Sequence, residues 1–168
     1  MTNHPTDLGY CSRCGAAMQL AEKFGKPRPV CPACGFVRFE DPKVTAVAFI
    51  TEAGRVLLVQ RAFDPEKGKW ALPGGYVDRG EDPARAAERE AHEETGLIVR
   101  VTHLIDVIFD GLIVILYAAE PTGGVLRHGD DAIDARWFTP DQLPELAFRS
   151  TYMLLRDWVA SQRGSPDE

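Results

Sequence analysis

The sequence has no long apolar run and no segment typical of a secretory signal. Its longest apolar stretch, residues 112–119, has the length of a strand and is too short to cross a bilayer. Residues 1–8 are polar and lack the hydrophobic region that a signal peptide needs. We therefore expect a cytoplasmic protein with no membrane partner.

Positive charge is also scarce. The chain carries 25 acidic and 19 basic side chains, which gives a formal net charge of −6. Proteins that bind a nucleic-acid backbone usually present a basic surface, so this balance counts against a nucleic-acid partner. A small nucleotide substrate remains compatible with the charge, because a bound divalent cation can supply positive charge locally.

Cysteine is absent after residue 34. The four cysteines form two Cys-x-x-Cys pairs separated by sixteen residues: Cys11, Cys14, Cys31 and Cys34. This spacing predicts one tetrahedral Zn²⁺ held by four thiolates, and a fully thiolate-bound zinc is structural. Disulfides are the alternative, disfavoured without a secretory signal. We predict a zinc ribbon over residues 1–40.

The predicted ribbon has few basic residues and no aromatic run typical of a base-stacking surface, which counts against nucleic-acid binding by the ribbon.

The rest of the chain alternates between strand and helix patterns. A helix is predicted from Pro83 to Glu94, with Asp82 as N-cap and Gly96 ending it. The other predicted elements are a hairpin of strands 44–50 and 55–60, strands 98–107, 112–119 and 135–138, a short helical turn over 139–143, and a helix over 149–160. This order predicts an α+β or α/β sandwich over residues 41–160. The polar tail, 161–168, is expected to be disordered.

Three glutamates crowd the last turn of the predicted helix. Glu90, Glu93 and Glu94 are spaced i, i+3 and i+4, which places them on one helical face. A solvated acidic face is the ordinary interpretation of such a cluster. Here the like charges repel each other and also oppose the helix dipole, so a bound cation would compensate two costs. Carboxylate oxygens favour Mg²⁺ or Mn²⁺.

Several neighbours of this cluster are candidates for the same site. Gly74 and Gly75 allow a tight bend and a close approach of backbone carbonyls to a metal or phosphate. Glu81 precedes the helix and can orient water or a ligand. Arg89 can hydrogen-bond Glu93 and fix its rotamer, or it can form an ordinary surface ion pair.

The pattern that joins these residues resembles the Nudix box at every defining position. It has Gly75, five residues, Glu81, seven residues, and then Arg89-Glu90-Ala91-x-Glu93-Glu94-x-Gly96-Leu97; Ala91 is smaller than the residue this aliphatic position more often holds.

The resemblance implies an α/β fold, an α/β/α sandwich around a mixed sheet. It implies Glu90 and Glu94 as core metal ligands, Glu93 as a further ligand or base, and a Gly74 or Gly75 carbonyl completing the inner shell. Arg89 and Glu81 would be supporting residues. The implied reaction is attack of metal-activated water on one phosphorus of a diphosphate.

The segments around the box bear on the substrate. A related family that cleaves NADH carries a proline- and aromatic-rich stretch after the box, where this chain has Ile-Asp-Val-Ile-Phe-Asp at residues 105–110. The chain more closely resembles zinc-ribbon Nudix hydrolases acting on ADP-ribose and FAD, which share the segment at 146–152. We predict ADP-ribose or FAD as substrate. The alternatives are an NADH pyrophosphatase and a non-catalytic nucleotide-sensing or RNA-binding Nudix protein. Related hydrolases suggest a homodimer.

Two further groups of residues are candidates. Asp130 and Asp131 are interpreted either as another metal ligand or general base in place of Glu93, or as a polar turn. Phe63, Phe109 and Tyr152 are candidates for stacking on adenine, with the hydrophobic core as the alternative.

Overall fold

A computed structural model describes residues 8–163 of the chain. The chain divides into two compact units, Met1–Asp41 and Pro42–Glu168. The closing helix continues to Arg163, into the segment 161–168 for which a disordered tail was predicted. Residues 164–168 lie outside the described residues.

The first unit is built on one β-hairpin and two cysteine turns. Strands β1 (Gln19–Lys23) and β2 (Lys26–Val30) pair antiparallel through a two-residue turn. In each cysteine turn, the glycine after the Cys-x-x-Cys pair adopts a left-handed φ and its N–H donates to the first cysteine's carbonyl, at 2.9 Å for Gly15 and 3.0 Å for Gly35. Glycine is favoured at such positions because it has no Cβ to clash.

The second unit is a mixed seven-stranded sheet with helices on both faces. Its elements are β3 (Val44–Glu52), β4 (Arg55–Arg61), β5 (Trp70–Ala71), β6 (Gly74–Tyr76), α1 (Pro83–Thr95), β7 (Leu97–Phe109), β8 (Ile113–Gly124), β9 (Ala132–Phe138) and α2 (Arg149–Arg163). The strand order is β5-β4-β3-β8-β7, with β6 also beside β3 and β9 beside β4. β3 and β8 are parallel, and the other pairs are antiparallel. The predicted α/β sandwich is confirmed.

Strands β3 and β4 separate soon after their shared turn. The predicted hairpin is confirmed only at that end, where Thr51 pairs with Val56 and Glu52 pairs with Arg55. Farther along, β6 takes the place beside β3 and β9 pairs with β4. The separation allows the Gly74–Tyr76 strand to enter the middle of the sheet.

Helix α1 has the predicted ends and packs closely on one face of the sheet. The Asp82 side chain accepts hydrogen bonds from Ala84 N at 2.9 Å and Arg85 N at 3.3 Å. Gly96 closes the helix with φ 70° and donates to the His92 carbonyl at 2.8 Å. The buried face consists of small residues: Ala86, Ala87, Ala91 and Thr95. The small residue at 91 therefore suits a helix that lies directly on the strands.

Helix α2 covers the opposite face. Leu155 and Trp158 pack against Val56, Leu58 and Trp70, among other core residues. Leu57, between those strand residues, belongs to the core under α1, so β4 is buried on both faces. Within residues 8–163, no helix is both long enough and apolar enough to span a bilayer.

The short helical turn predicted over residues 139–143 is present only as one hydrogen-bonded turn and not as a helix. The segment forms a single turn in which Gln142 N donates to the Thr139 carbonyl at 3.1 Å. Pro144 follows directly, and a residue before proline is disfavoured in the helical conformation, so the turn does not continue as a helix.

Candidate active site

Glu94 lies at the end of α1 against the inserted strand β6. Gly74 N donates to Glu94 Oε2 at 2.9 Å. The pKa of Glu94 is raised to about 8, chiefly by burial and also by the negative charges of Glu90 and Asp131, although the Gly74 N–H and Arg61 act in the opposite direction. No basic side chain within residues 8–163 forms an ion pair with Glu94. A hard cation would supply the compensating charge that this carboxyl lacks.

Arg89 forms hydrogen bonds with the other three glutamates of the predicted site. It donates from Nε and Nη2 to the two carboxylate oxygens of Glu81, at 2.8 and 2.9 Å. Its Nη1 bridges Glu90 Oε1 at 2.8 Å and Glu93 Oε2 at 3.1 Å, and its Nη2 also donates to the Tyr76 carbonyl at 3.1 Å. The hydrogen bonds from Arg89 lower the pKa of Glu81 to about 2. Such bidentate pairing fixes geometry as well as charge.

The two glycines of β6 lie close to neighbouring atoms, which are backbone atoms at Gly74 and the end of the Glu90 side chain at Gly75. A Cβ on Gly75 would lie 2.5 Å from Glu90 Oε1, and a Cβ on Gly74 would lie 2.7 Å from the Val47 Cα. Both glycines lie in a strand, whereas a tight bend was expected from the sequence. Their missing side chains leave room for the Glu90 carboxylate beside the backbone, an arrangement that fits an oxygen-ligated divalent cation.

The structure thus divides the predicted residues into two adjoining sets. Arg89 joins Glu81, Glu90 and Glu93, while Glu94 contacts Gly74. Among the described residues, only the four cysteines form a group of ligand atoms gathered closely enough to hold a metal without rearrangement.

The four cysteines fit a structural zinc. Their Sγ atoms all lie within 4.8 Å of one another, with Cys11 to Cys34 at 3.6 Å and Cys14 to Cys31 at 3.5 Å. Tetrahedral ligands at a Zn–S distance of about 2.3 Å are about 3.8 Å apart, close to these separations. The cysteines are free thiols, so the disulfide alternative is not what the structure contains.

A cavity of about 350 Å³ opens beside Glu94, Gly74 and Gly75. Its other walls include Arg61, Tyr76, Phe148, Ser150 and Thr151, residues that the sequence did not single out as binding groups. Pockets for small molecules usually have such a volume and combine apolar walls with few polar groups.

The aromatic residues nominated from the sequence do not line this cavity. Phe63, Phe109 and Tyr152 are 60%, 73% and 58% exposed, so the core alternative is wrong, while stacking on adenine stays a prediction. Tyr76 and Phe148 are the aromatic side chains of the wall. The only sequence signal for them was position: Tyr76 follows Gly75, and Phe148 lies in the 146–152 segment.

Arg61 is the positively charged residue in the lining of this cavity. Its Nε donates to the Pro65 carbonyl at 2.9 Å, and its guanidinium lies 4.7 Å from the centre of the Phe148 ring. Burial raises the pKa of Glu94, and this guanidinium partly offsets that rise, so its positive charge acts on the carboxyl in the cavity wall.

The loop with the two candidate aspartates meets the end of α1. Gly129 N donates to the Glu94 carbonyl at 3.0 Å, and Ala62 N donates to the Asp131 carbonyl at 3.3 Å. The pKa of Glu94 is raised mainly by burial, and the charge of Asp131 adds a smaller contribution in the same direction. The choice between Glu93 and a loop aspartate as general base stays open.

Residues 41–157 match the model of the NUDIX domain family, and the chain therefore belongs to the Nudix family of hydrolases. It is 36% identical to an ADP-ribose pyrophosphatase of Methanocaldococcus jannaschii over 130 residues, 73% of this chain and 76% of that protein.

Two further comparisons cover nearly the whole chain. The crystal structure of a NUDIX hydrolase from Nitrosomonas europaea superposes with a TM-score of 0.86 at 29% identity, covering 94% of each chain. The NAD-capped RNA hydrolase NudC of Stutzerimonas stutzeri is 28% identical over 94% of this chain, which spans 58% of that relative's length. The predicted family, fold and enzyme class, a Nudix pyrophosphohydrolase, are confirmed.

Proposed function

We propose that this enzyme hydrolyses the diphosphate bond of a nucleoside diphosphate linked to another group, with ADP-ribose or FAD as substrate. The observation that carries the proposal is the position of Glu94, whose side chain lines a cavity of about 350 Å³ beside two glycines. A nucleotide bound in this cavity would then lie next to the carboxylates that bind the metal.

In this proposal, Mg²⁺ or Mn²⁺ is held by Glu90, Glu93, Glu94 and a carbonyl of Gly74 or Gly75. When bound, the cation lowers the pKa of water and stabilises negative charge on phosphate oxygens. Arg89 positions Glu90 and Glu93 through its Nη1 group, and Glu81 in turn orients Arg89. Glu93 or a loop aspartate accepts the proton of the attacking water.

The cavity suits the two halves of such a substrate. The Arg61 guanidinium supplies positive charge for the diphosphate, and Tyr76 and Phe148 offer aromatic surface for a base or flavin ring. The 36% identical relative named as an ADP-ribose pyrophosphatase supports the choice of ADP-ribose.

The remaining features complete the proposal. Residues 1–40 form a zinc ribbon whose zinc is structural, and residues 41–160 form the hydrolase domain. The enzyme acts in the cytoplasm on a small nucleotide, and two copies associate as a homodimer.

A substrate panel with matched variants tests the proposal. ADP-ribose, FAD, NADH and CoA are assayed with Mg²⁺ and with Mn²⁺. Glu94→Gln should lower kcat/KM at least about 100-fold, because removing a metal ligand removes transition-state charge stabilisation. Glu88→Gln is the matched control: it lies on the same helix, and an amide oxygen can still accept the bond from Val101 N. Full metal-dependent activity of Glu94→Gln contradicts the proposal, and preferred cleavage of NADH contradicts the substrate.

A second candidate is removal of a nucleotide cap from RNA. It is favoured by the NudC relative, whose similarity extends over 94% of this chain and therefore includes the ribbon. Comparing hydrolysis of NAD-capped RNA with that of free NAD and ADP-ribose distinguishes the two candidates, since a cap hydrolase prefers the RNA-linked substrate.

A further inference from the structure

We propose that one face of the ribbon hairpin binds single-stranded RNA. This surface, here called the ribbon platform, consists of two exposed phenylalanines and three basic side chains: Lys23, Phe24, Lys26, Arg28 and Phe39. None of these residues belongs to the site described above.

The aromatic part of the platform is a short column of flat groups. The Phe24 and Phe39 rings are stacked, with centres 6.0 Å apart and planes 24° from parallel. The Arg28 guanidinium lies 4.6 Å from the centre of the Phe39 ring. Phe24 is 76% exposed and Phe39 is 51% exposed, so ring surface remains open to solvent. Bases of single-stranded nucleic acids stack on exposed surfaces of this kind.

Phe24 occupies a position that its side chain does not suit. It is the first residue of the two-residue hairpin turn, with φ 54°, and Gly25 follows with φ 72°. Turns with positive φ at both residues favour asparagine, aspartate or glycine, and a bulky residue there is strained. Since the ring is largely exposed, burial does not offset this strain. A ligand for the ring would explain why phenylalanine occupies the turn.

The positive charges share one face of the hairpin. Lys23 pairs with Lys26 and Ala21 with Arg28, and directly opposed residues project to the same side of a sheet. Glu22 is adjacent in sequence to Lys23 and therefore projects to the other side. Opposed like charges destabilise a hairpin, so the lysine pair favours an anionic partner.

These three positive charges have no neutralising partner among residues 8–163. Over residues 8–163, no carboxylate forms an ion pair with Lys23, Lys26 or Arg28. Arg28 Nε is buried and has no hydrogen-bond partner among the described residues. Residues 8–41 carry five basic and three acidic side chains, although the whole chain has a net charge of −6. Phosphate groups match this local excess of positive charge.

Cations beside stacking rings fit a flexible strand with exposed bases better than a duplex, whose bases are already stacked. The choice of RNA over DNA rests on the second candidate function, removal of a nucleotide cap, because a diphosphate link of that kind joins the cap to an RNA 5′ end. The surface itself is argued from the ribbon alone, and binding can be measured without turnover.

The test is fluorescence anisotropy with the full-length, zinc-loaded protein and a labelled uridine 12-mer. Phe24→Asn removes the ring and supplies a residue that the turn favours, so the hairpin is kept. We expect binding about 5- to 150-fold weaker, the range for loss of one base–aromatic stack. Tyr10→Ser is the matched control, because Tyr10 is 75% exposed in the same unit and lies outside the platform. It should bind like the wild type.

A salt titration tests the charged part separately. Three phosphate contacts predict a slope of log K against log salt of about −2 for a single strand, and Lys23→Gln/Lys26→Gln should reduce it to about −0.7. Equal affinities of the wild type and Phe24→Asn would overturn the proposal. So would tighter binding of the deoxyuridine 12-mer or of duplex RNA. A dimer that Phe24→Asn dissociates, without RNA binding by the wild type, would assign the surface to self-association and also overturn it.

Discussion

Replacing Gly75 with alanine should displace the Glu90 carboxylate while the fold survives. The added Cβ would lie 2.5 Å from Glu90 Oε1 and 2.6 Å from Oε2, whereas ordinary contact begins at 3.4 Å, so the carboxylate must move by about 0.9 Å. These atoms end a flexible side chain, so rotation of Glu90 relieves the clash. The substitution therefore changes the position of a proposed ligand and leaves its chemistry intact.

The size of the expected effect follows from that displacement. A misplacement of about 1 Å in a catalytic group costs on the order of 100-fold in rate. This factor corresponds to about 2.7 kcal/mol of transition-state stabilisation. We therefore expect kcat/KM for ADP-ribose with Mg²⁺ to fall about 100-fold and the melting temperature to stay close to that of the wild type.

Gly123→Ala is the matched control for this substitution. Gly123 also lies in a strand, and its added Cβ would meet only Ile98 Cδ1, at 3.9 Å. Its kcat/KM should stay within about two-fold of the wild type, in line with the small effect of compatible glycine-to-alanine changes. Steady-state kinetics and calorimetry on both variants provide the comparison. If Gly75→Ala matches Gly123→Ala in both measurements, the position of Glu90 does not matter to the reaction and the reasoning is refuted.

Two other predictions concern the ribbon and the arginine network. Cys11→Ser should lower bound zinc and the stability of the ribbon with little change in kcat, as measured by metal analysis and steady-state kinetics. Loss of metal dependence in this variant with an unaltered fold would contradict a purely structural zinc. The pKa of Glu81 in the folded protein is about 2, below its ordinary value of 4.5. The pairing of Glu81 with Arg89 therefore stabilises the fold fully at pH values above 4.5. This stabilisation is lost as the pH falls from 4.5 towards 2. Urea unfolding of Glu81→Gln should show a weaker loss of stability than the wild type over that interval, and identical pH profiles would contradict the role of the pair.

The sequence predicted those features that depend on neighbouring residues. The ends of α1 depend on Asp82, Pro83 and Gly96, whose preferences are local, and both ends are as predicted. The spacing of Glu90, Glu93 and Glu94 predicted their shared helical end, because helix geometry alone determines it. The two glycines after the cysteine pairs likewise adopt the turns expected of them.

Features that depend on contacts between distant residues escaped prediction. The pairing of β6 with β3 brings Gly75 beside Ala46, which no local pattern indicates. The stacking of Phe24 on Phe39 likewise joins residues without a shared periodicity, so the sequence revealed no aromatic surface in the ribbon. Arg61 and Phe148 come from opposite parts of the hydrolase domain and meet only in the folded chain.

Gly129 fixes the acidic loop to the helix end. Any Cβ at this residue would collide with the Glu93 carbonyl, while its N–H is bonded to the Glu94 carbonyl. Asp130 and Asp131 are therefore tethered to the same turn that carries two of the glutamates, and a shift of that turn moves both acidic groups together. Insertions that lengthen this loop are compatible with the site only if they leave Gly129 and its bond to the Glu94 carbonyl in place.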